Sequence, residues 1–515
     1  MSSESYQMLA KTFDGLEEVL KIELEDIGAS NVEVVNRGVK FSGTKETLYR
    51  ANFCCRTALR ILRIIGEFSV KGANDLYRNV NKMEWENYMD VTQTFAINST
   101  VNSEAFNNSM FVSLKTKDAI VDRLRAKFDK RPSVNTDDPD IRINVHASAD
   151  AVTISLDSSG ESLHKRGYRV GQNEASMSEV LAAGILKIAD WKGQTDFYDT
   201  MCGSGTIAIE AALIARNIPP GMFRQEFAFE RWKDFDEDLL EKVYNEDYEV
   251  PFEHNIYASD ISSLSVKVAE KNAKSAGVLK SIEFKEQDFA QFEPQSKGGL
   301  LIINPPYGER MNDRKVEPLY NMIGNQLKHQ FQGFKAWVFS SSEEGFKNIG
   351  LKPSKKIPLY NGPLECSLRL FEVYEGSKKA GKQDNGGGRR SKPMERPGRD
   401  FQSTNRPKRD FRPSDGQGKD FRKDKNREEF GGKRREDFKG ERGKDNFNRE
   451  RRKEDSVNLR NKSDFEVNSR RDKFHADRRL RGGTGRVDNE NSSKEDNSVR
   501  KESANPNRGK RPRIK

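Results

Sequence analysis

The stretch Leu300-Leu301-Ile302-Ile303-Asn304-Pro305-Pro306-Tyr307-Gly308 is where this 515-residue chain is best equipped for chemistry. Its apolar residues read as a buried strand that runs straight into Asn-Pro-Pro-Tyr. Two successive prolines fix the backbone and remove two N–H donors, so the local carbonyls stay open as acceptors. Asn304 offers a side-chain carbonyl and Pro305 a main-chain one, and together they suit the two hydrogens of an exocyclic amine. Tyr307 offers a flat face to a base turned out of its stack. The lone pair of such an amine is delocalised into its ring. Acceptors that favour a tetrahedral nitrogen localise the pair and accommodate the positive charge that develops during attack. The chemistry implied is methyl transfer by positioning and electrostatics. It needs no histidine, and the five histidines form no pattern. The plainer reading is that Asn-Pro-Pro only ends a strand.

A second candidate lies upstream, where Asp199-Thr200-Met201-Cys202-Gly203-Ser204-Gly205-Thr206 joins an apolar strand to the helix predicted at Ile207–Arg216. Glycines at a strand-to-helix turn let a ligand approach the backbone closely. The loop is not GxxxxGK[ST], which argues against a nucleoside triphosphate, and it lacks the third glycine of the dinucleotide fingerprint. The next strand ends in Asp260, suited to accept from both hydroxyls of a ribose, although a helix N-cap is an equal use for it. The one after ends in Gln287-Asp288-Phe289, where the acid could accept from an adenine amine and the phenyl ring pack on the base. A plain loop acid is the alternative.

These residues need strands that end together on one side of a sheet. From about Glu174 the pattern is strand then helix: helix Met177–Asp190, strand Asp196–Met201, strand Asn255–Asp260, helix Ser263–Ala276, strand Ile282–Asp288, strand Leu300–Asn304, helix Glu317–Phe331 and strand Ala336–Ser340. Such alternation predicts an α/β fold with a mostly parallel, Rossmann-like sheet. Lys356–Tyr360 and Leu368–Tyr374 read as an antiparallel edge hairpin, and the aromatic, acidic insertion Pro219–Pro251 as helical. Ahead of this domain stand two small α+β units. The first has strands at Tyr6–Thr12, Val32–Val35 and Val39–Ser42, helices at Leu16–Asp26 and Glu46–Phe53, and a strand at Ala58–Phe68. The second has strands at Thr94–Thr100, Ile141–His146 and Val152–Leu156 and a helix at Ser109–Phe128.

Charge divides the chain more sharply than its total suggests. The net +10 combines a tail from Ser377 onward, with 44 Lys+Arg against 25 Asp+Glu (net +19), and a body of 46 against 55 (net −9). The tail is poor in Ile, Leu and Val and repeats Asp-Phe at Asp400-Phe401, Asp410-Phe411, Asp420-Phe421, Asp437-Phe438 and Asp464-Phe465. It reads as disordered low complexity. Phe, Arg and Gly interleaved with excess positive charge suit nonspecific single-stranded RNA binding, and a solvated spacer is the plainer alternative. Lys165, Arg166, Tyr168 and Arg169 read as RNA-backbone contacts or as closure of the cofactor pocket, against an ordinary exposed linker. No run of about 18 apolar residues predicts a membrane span, and the start MSSESYQMLAK lacks secretory features. The cysteines Cys54, Cys55, Cys202 and Cys366 form neither a disulfide framework nor a metal pattern, so reduced thiols, a cytoplasmic location and no metal are expected.

The set DTMCGSGT, SD, QDF and NPPYGER resembles class I S-adenosylmethionine-dependent methyltransferases that modify exocyclic amines. Leu163-His164-Lys165-Arg166-Gly167-Tyr168-Arg169, then Glu174-Ala175 and Leu181-Ala182-Ala183, resembles the entry to the catalytic domain of THUMP-containing RNA methyltransferases. The resemblance is nearest to the guanine-N2 half of the bifunctional bacterial 23S rRNA enzymes and spans about residues 5–375. It implies a ferredoxin-like unit (1–57), a THUMP RNA-binding domain (58–160) and a Rossmann-like methyltransferase domain (161–376), with the basic tail (377–515) beyond. It implies S-adenosylmethionine held by Asp199, Cys202, Gly203, Gly205, Thr206, Asp260, Asp288 and Phe289, and a target base held by Asn304, Pro305, Pro306 and Tyr307. The second methyltransferase domain of the bifunctional enzymes is replaced here by the charged tail, so one activity is expected. Large-subunit rRNA is the expected partner, with tRNA sharing the same layout and a non-catalytic assembly factor as the alternative of another class. A monomer is expected.

Overall fold

The computed structural model describes residues 5–171, 176–306 and 313–373. Tyr307, Glu174, Ala175 and the whole basic tail lie outside the described residues, as do the expectations attached to them.

The first half builds one sheet. Its elements are β1 (Tyr6–Lys11), α1 (Glu17–Asp26), β2 (Ser30–Val35), β3 (Gly38–Gly43), α2 (Lys45–Cys54), β4 (Arg60–Ser69), α3 (Ala73–Lys82), β5 (Thr94–Asn102), α4 (Ser109–Phe128), β6 (Ser133–Val134), β7 (Ile141–Ser148) and β8 (Ala151–Asp157). The strand order is β2-β3-β1-β4-β8-β7-β5-β6. β4 pairs antiparallel with β1 on one side and with β8 on the other, so the two small units share a continuous sheet and one apolar core. Local signals end its helices. Gly28 takes a left-handed φ of 84° after α1, and Asn108 caps α4 by accepting from the Phe111 amide at 3.2 Å.

The second half comprises α5 (Glu179–Ile188), β9 (Phe197–Asp199), α6 (Thr206–Ala215), α7 (Glu237–Tyr244), β10 (Ile256–Asp260), α8 (Ser263–Ser275), β11 (Ile282–Glu286), β12 (Gly299–Ile303), α9 (Asp313–His329), β13 (Phe334–Ser340), α10 (Glu343–Asn348), β14 (Lys355–Asn361) and β15 (Leu364–Glu372). The strand order is β11-β10-β9-β12-β13-β15-β14. The first five strands in this order pair in parallel, and β14–β15 forms the antiparallel edge hairpin. β9 lies between β10 and β12, so the strand order reverses at β9. The carboxyl ends of these three strands open the crevice where open α/β sheets bind ligands.

The insertion at 219–251 folds back onto the first sheet. Its Phe227, Phe229, Trp232, Leu240 and Val243 join the apolar core of the front half. Phe229 stacks on Tyr49 with centroids 4.2 Å apart, and Tyr244 meets Phe53 at 4.6 Å. Aromatic residues dense enough to suggest helices therefore also serve as a clamp between the two halves.

Candidate active site

The crevice holds a cavity of about 360 Å³. Cys202, Gly203, Thr206, Asp260, Asp288 and Phe289 line it from the cofactor side, and Asn304 and Pro306 from the other. Residues that follow four different strands, from Cys202 to Pro306, thus meet in one hollow, as the motif spacing required. Gly203 has φ 55° and nothing within 4 Å of where a Cβ would stand, so the loop leaves room above it. Gly205 (φ 80°) has a different use. A Cβ there would meet Ala269 Cβ at 2.8 Å, so it permits α6 and α8 to pack closely.

Asp260 organises the loop. Its Oδ2 accepts from the Gly203 amide at 2.9 Å and its Oδ1 from the Ser262 amide at 2.9 Å. Ser262, accepting from Ser265, is the N-cap of α8. Asp260 therefore does not cap that helix, and each of its oxygens keeps a lone pair for a ligand hydroxyl. Asp288 accepts from the Ala290 amide at 2.9 Å at the edge of the cavity. Phe289 is packed near Phe331 while still facing the cavity. Burial pushes the Cys202 thiol well above its usual range, which suits a wall residue rather than a nucleophile.

Asp199 does not line the cavity. It is fully buried beneath the loop, and neither carboxylate oxygen has a hydrogen-bond partner in good geometry. Burial, with Asp260 adding repulsion, pushes its carboxyl up to about 8, against weaker help from the amides of Ala208 and Met201. The folded value lies above the unfolded one, so the fold prefers the neutral acid. That preference is intact below about pH 4 and is lost progressively as pH rises through about 8. Asp199→Asn should therefore gain stability relative to wild type between about pH 4 and pH 8, by roughly 5 kcal/mol in total, with a flat difference above. Melting curves across pH test this. A pH-independent difference would leave Asp199 ionised throughout.

At the end of β12, Asn304 lines the cavity and its enclosed Oδ1 accepts no hydrogen bond from the described residues. A buried carbonyl without a partner is uncommon and calls for a ligand or a function. Pro305 is buried behind it, and Pro306 is exposed and lines the cavity.

Of the four candidate RNA contacts, three turn inward. Arg166 and Tyr168 are each only 1% exposed and bond inward to Glu210: Tyr168 donates to Oε1 at 3.0 Å, and Arg166 Nε lies 3.5 Å away. Neither can reach a phosphate. Arg169 donates to Glu179 (2.8 Å), Ser204 Oγ (3.2 Å) and Thr206 Oγ1 (3.0 Å), which leaves it bracing the glycine loop. Lys165 alone is exposed, beside Glu161 at 2.8 Å. Their cluster of cations looked superficial because arginine is seldom buried without a partner, and the partners come from distant helices.

Asn272 escaped notice in the sequence. On α8 and buried, it accepts from the Val170 and Gly171 amides (3.0 and 3.1 Å) and donates to the Gly171 and Ser204 carbonyls (2.9 and 3.1 Å). It staples the linker to the glycine loop. A lone Asn in a Lys-rich helix carries no sequence signal for this.

A parallel switch-point sheet, a glycine loop with an acid at the end of the next strand, and an unpaired Asn carbonyl opposite it define a class I methyltransferase site. Comparison with known proteins agrees. Residues 7–62 match the RlmL ferredoxin-like domain, 70–157 the THUMP domain and 166–369 the RMKL-like methyltransferase domain. The chain belongs to the THUMP-containing, S-adenosylmethionine-dependent RNA methyltransferases of the RMKL-like family. It is 40% identical over 371 residues to the ribosomal RNA large subunit methyltransferase K/L of Psychromonas ingrahamii, covering 70% of this chain and 49% of that protein, about half its length. It is 38% identical over 364 residues to the candidate RNA methyltransferase slr0064 of Synechocystis sp., covering 70% of this chain and 95% of that one. Among solved structures it resembles SMU.472, a candidate methyltransferase complexed with SAH (TM-score 0.66, 31% identity, 73% of this chain and 100% of the other). A possible methylase from Clostridium difficile 630 matches with the same figures. The cofactor is S-adenosylmethionine. No helix among the described residues is long and apolar enough to cross a membrane, and no cluster of metal-ligating side chains occurs among them.

Proposed function

We propose that the chain methylates the exocyclic N2 amine of a guanosine in 23S rRNA, as a cytoplasmic monomer. The observation that carries this reading is the unpartnered Asn304 carbonyl, which faces the same cavity as the glycine loop. S-adenosylmethionine, when bound, supplies an electrophilic methyl group. Gly203 leaves space for it, Asp260 holds the ribose hydroxyls, Asp288 and Phe289 the adenine, and Asp199, Cys202, Gly205 and Thr206 shape the loop and the start of α6. Asn304 Oδ1 and the Pro305 carbonyl accept the two amine hydrogens. That localises the nitrogen lone pair toward the methyl group and stabilises the charge that forms on nitrogen. Pro306 and Tyr307 hold the ring. The rRNA target is favoured by the likeness, over 371 residues, to a large-subunit rRNA enzyme.

The test is transfer of tritiated methyl groups to separated rRNA and tRNA, followed by mass spectrometry of the labelled nucleoside. N2-methylguanosine in 23S rRNA is expected, and label confined to tRNA would sink the rRNA assignment. The tail, with its +19 net charge, serves as a nonspecific RNA grip. A chain ending at Gly376 should keep methyl transfer but bind RNA more weakly, with a shallower slope of log Kd against log salt in filter binding. Loss of cofactor binding on this truncation would refute the division of labour.

A further inference from the structure

Beside the cofactor cavity lies a second hollow of about 420 Å³, walled by one face of α9. Asn321, Met322, Asn325, Gln326, His329 and Gln330 recur there on successive turns. Met322 lines both hollows, so the two adjoin. Its floor is tied down by Gln326, whose Nε2 donates to the carbonyl of Ala290, the residue two past Asp288.

The composition of this face is unusual for the chain. A third of all residues are charged (33%), yet Pro318 to Leu327 contains no charge at all. Exposed helix positions that ordinarily take Lys or Glu hold Asn321 and Asn325 instead, and the exposed Gln330 follows directly on the helix. No Lys or Arg lines the hollow, so it is not built for phosphate. Each carboxamide carries two N–H donors and an acceptor, which complement the edge of a nucleobase. His329 adds a flat ring on which a base can stack.

We propose that this groove reads the base of a nucleotide flanking the methylated one. The inference rests on the RNA-methylating reading above. Extruding a target base leaves its neighbours splayed, with their edges accessible. From Asn321 to His329 the helix runs about 12 Å, enough for one or two nucleotides.

The test uses the full chain and a set of RNA stem-loops that differ only in the nucleotides flanking one unpaired guanosine. Both kcat/KM and Kd (by fluorescence anisotropy) are measured for wild type and for Asn321→Ala/Asn325→Ala. Wild type should prefer one flanking base by about tenfold or more, as one lost base contact commonly costs. The double variant should narrow that preference to within about twofold and keep its S-adenosylmethionine affinity. An unchanged preference, no preference in wild type, or a loss of equal size on every RNA would overturn the proposal. Should the double variant misfold, Asn325→Ala alone is read in the same way. A preference in Kd that vanishes in the variant, with no methylation of any stem-loop, would uphold the groove and refute the proposed target.

Discussion

Replacing Asn304 with alanine is expected to lower kcat for RNA methylation by about two to three orders of magnitude, the range seen when one preorganised polar contact to developing charge is removed. The Asn304 Oδ1 is enclosed and unpartnered among the described residues, so its removal breaks no hydrogen bond with any of them. Its value lies in the complex, where the target nitrogen turns from planar to tetrahedral and gains positive charge. An interaction made mainly in the transition state should lower kcat and kcat/KM together. The glycine loop and Asp260 hold their own hydrogen bonds without Asn304. Cofactor affinity, measured by calorimetry, should therefore stay within about threefold, since no contact to the cofactor is being removed. Asn304→Asp keeps an oxygen acceptor in place and should retain more activity than the alanine variant. Wild-type turnover in Asn304→Ala would refute the assigned role, whatever the structure of the target.

The parts of the site that could be read from the sequence are those whose chemistry is local. Asn304 follows directly on its apolar strand, Asp260 closes β10, and Asp288 stands two residues beyond β11, the alternating strand at the edge of the sheet. α4 also runs from Ser109 to Phe128 as its apolar spacing indicates. α3 carries Ala73, Leu76, Tyr77 and Val80 at helical spacing, but that stripe spans only about two turns. The six-residue α10 offered still less. What stayed hidden depends on partners far along the chain. Arg166 and Tyr168 read as surface cations and an aromatic until Glu210, some forty residues on, accounts for their burial. The aromatic density of the insertion was plain, but Tyr49 and Phe53, against which it packs, lie nearly two hundred residues earlier. The shared first sheet has a similar cause. β4 is long enough to serve two partners, and nothing in its own residues says that both edges are used.

Glu210→Gln is expected to cost about 3–5 kcal/mol of stability, the usual result of removing one partner from a buried ion pair. Glu210 sits on α6, fully buried, with Arg166 Nε 3.5 Å away and the Tyr168 hydroxyl at 3.0 Å. Arg56, also buried, feels the same carboxylate, which opposes the downward pull of burial on its guanidinium. Neither arginine can swing out to water. Arg166 donates to the carbonyls of Leu163 and Arg56, and Arg56 donates to those of Leu213 and Ile218. Glutamine preserves the volume and an acceptor for Tyr168, so the loss isolates the charge. Two guanidiniums would then share an interior where Glu23 already accepts from the Arg56 and Thr57 amides and the Thr57 hydroxyl, and Glu179 from Arg169. The network joins the front half, the linker and α6, and α6 begins at the glycine loop. Cofactor affinity should therefore weaken several-fold along with the urea midpoint. Glu161→Gln provides the contrast. Its pair with Lys165 is exposed on both sides, and its loss should cost less than about 0.5 kcal/mol. Equal effects of the two substitutions would show that the buried network adds nothing beyond an ordinary surface pair.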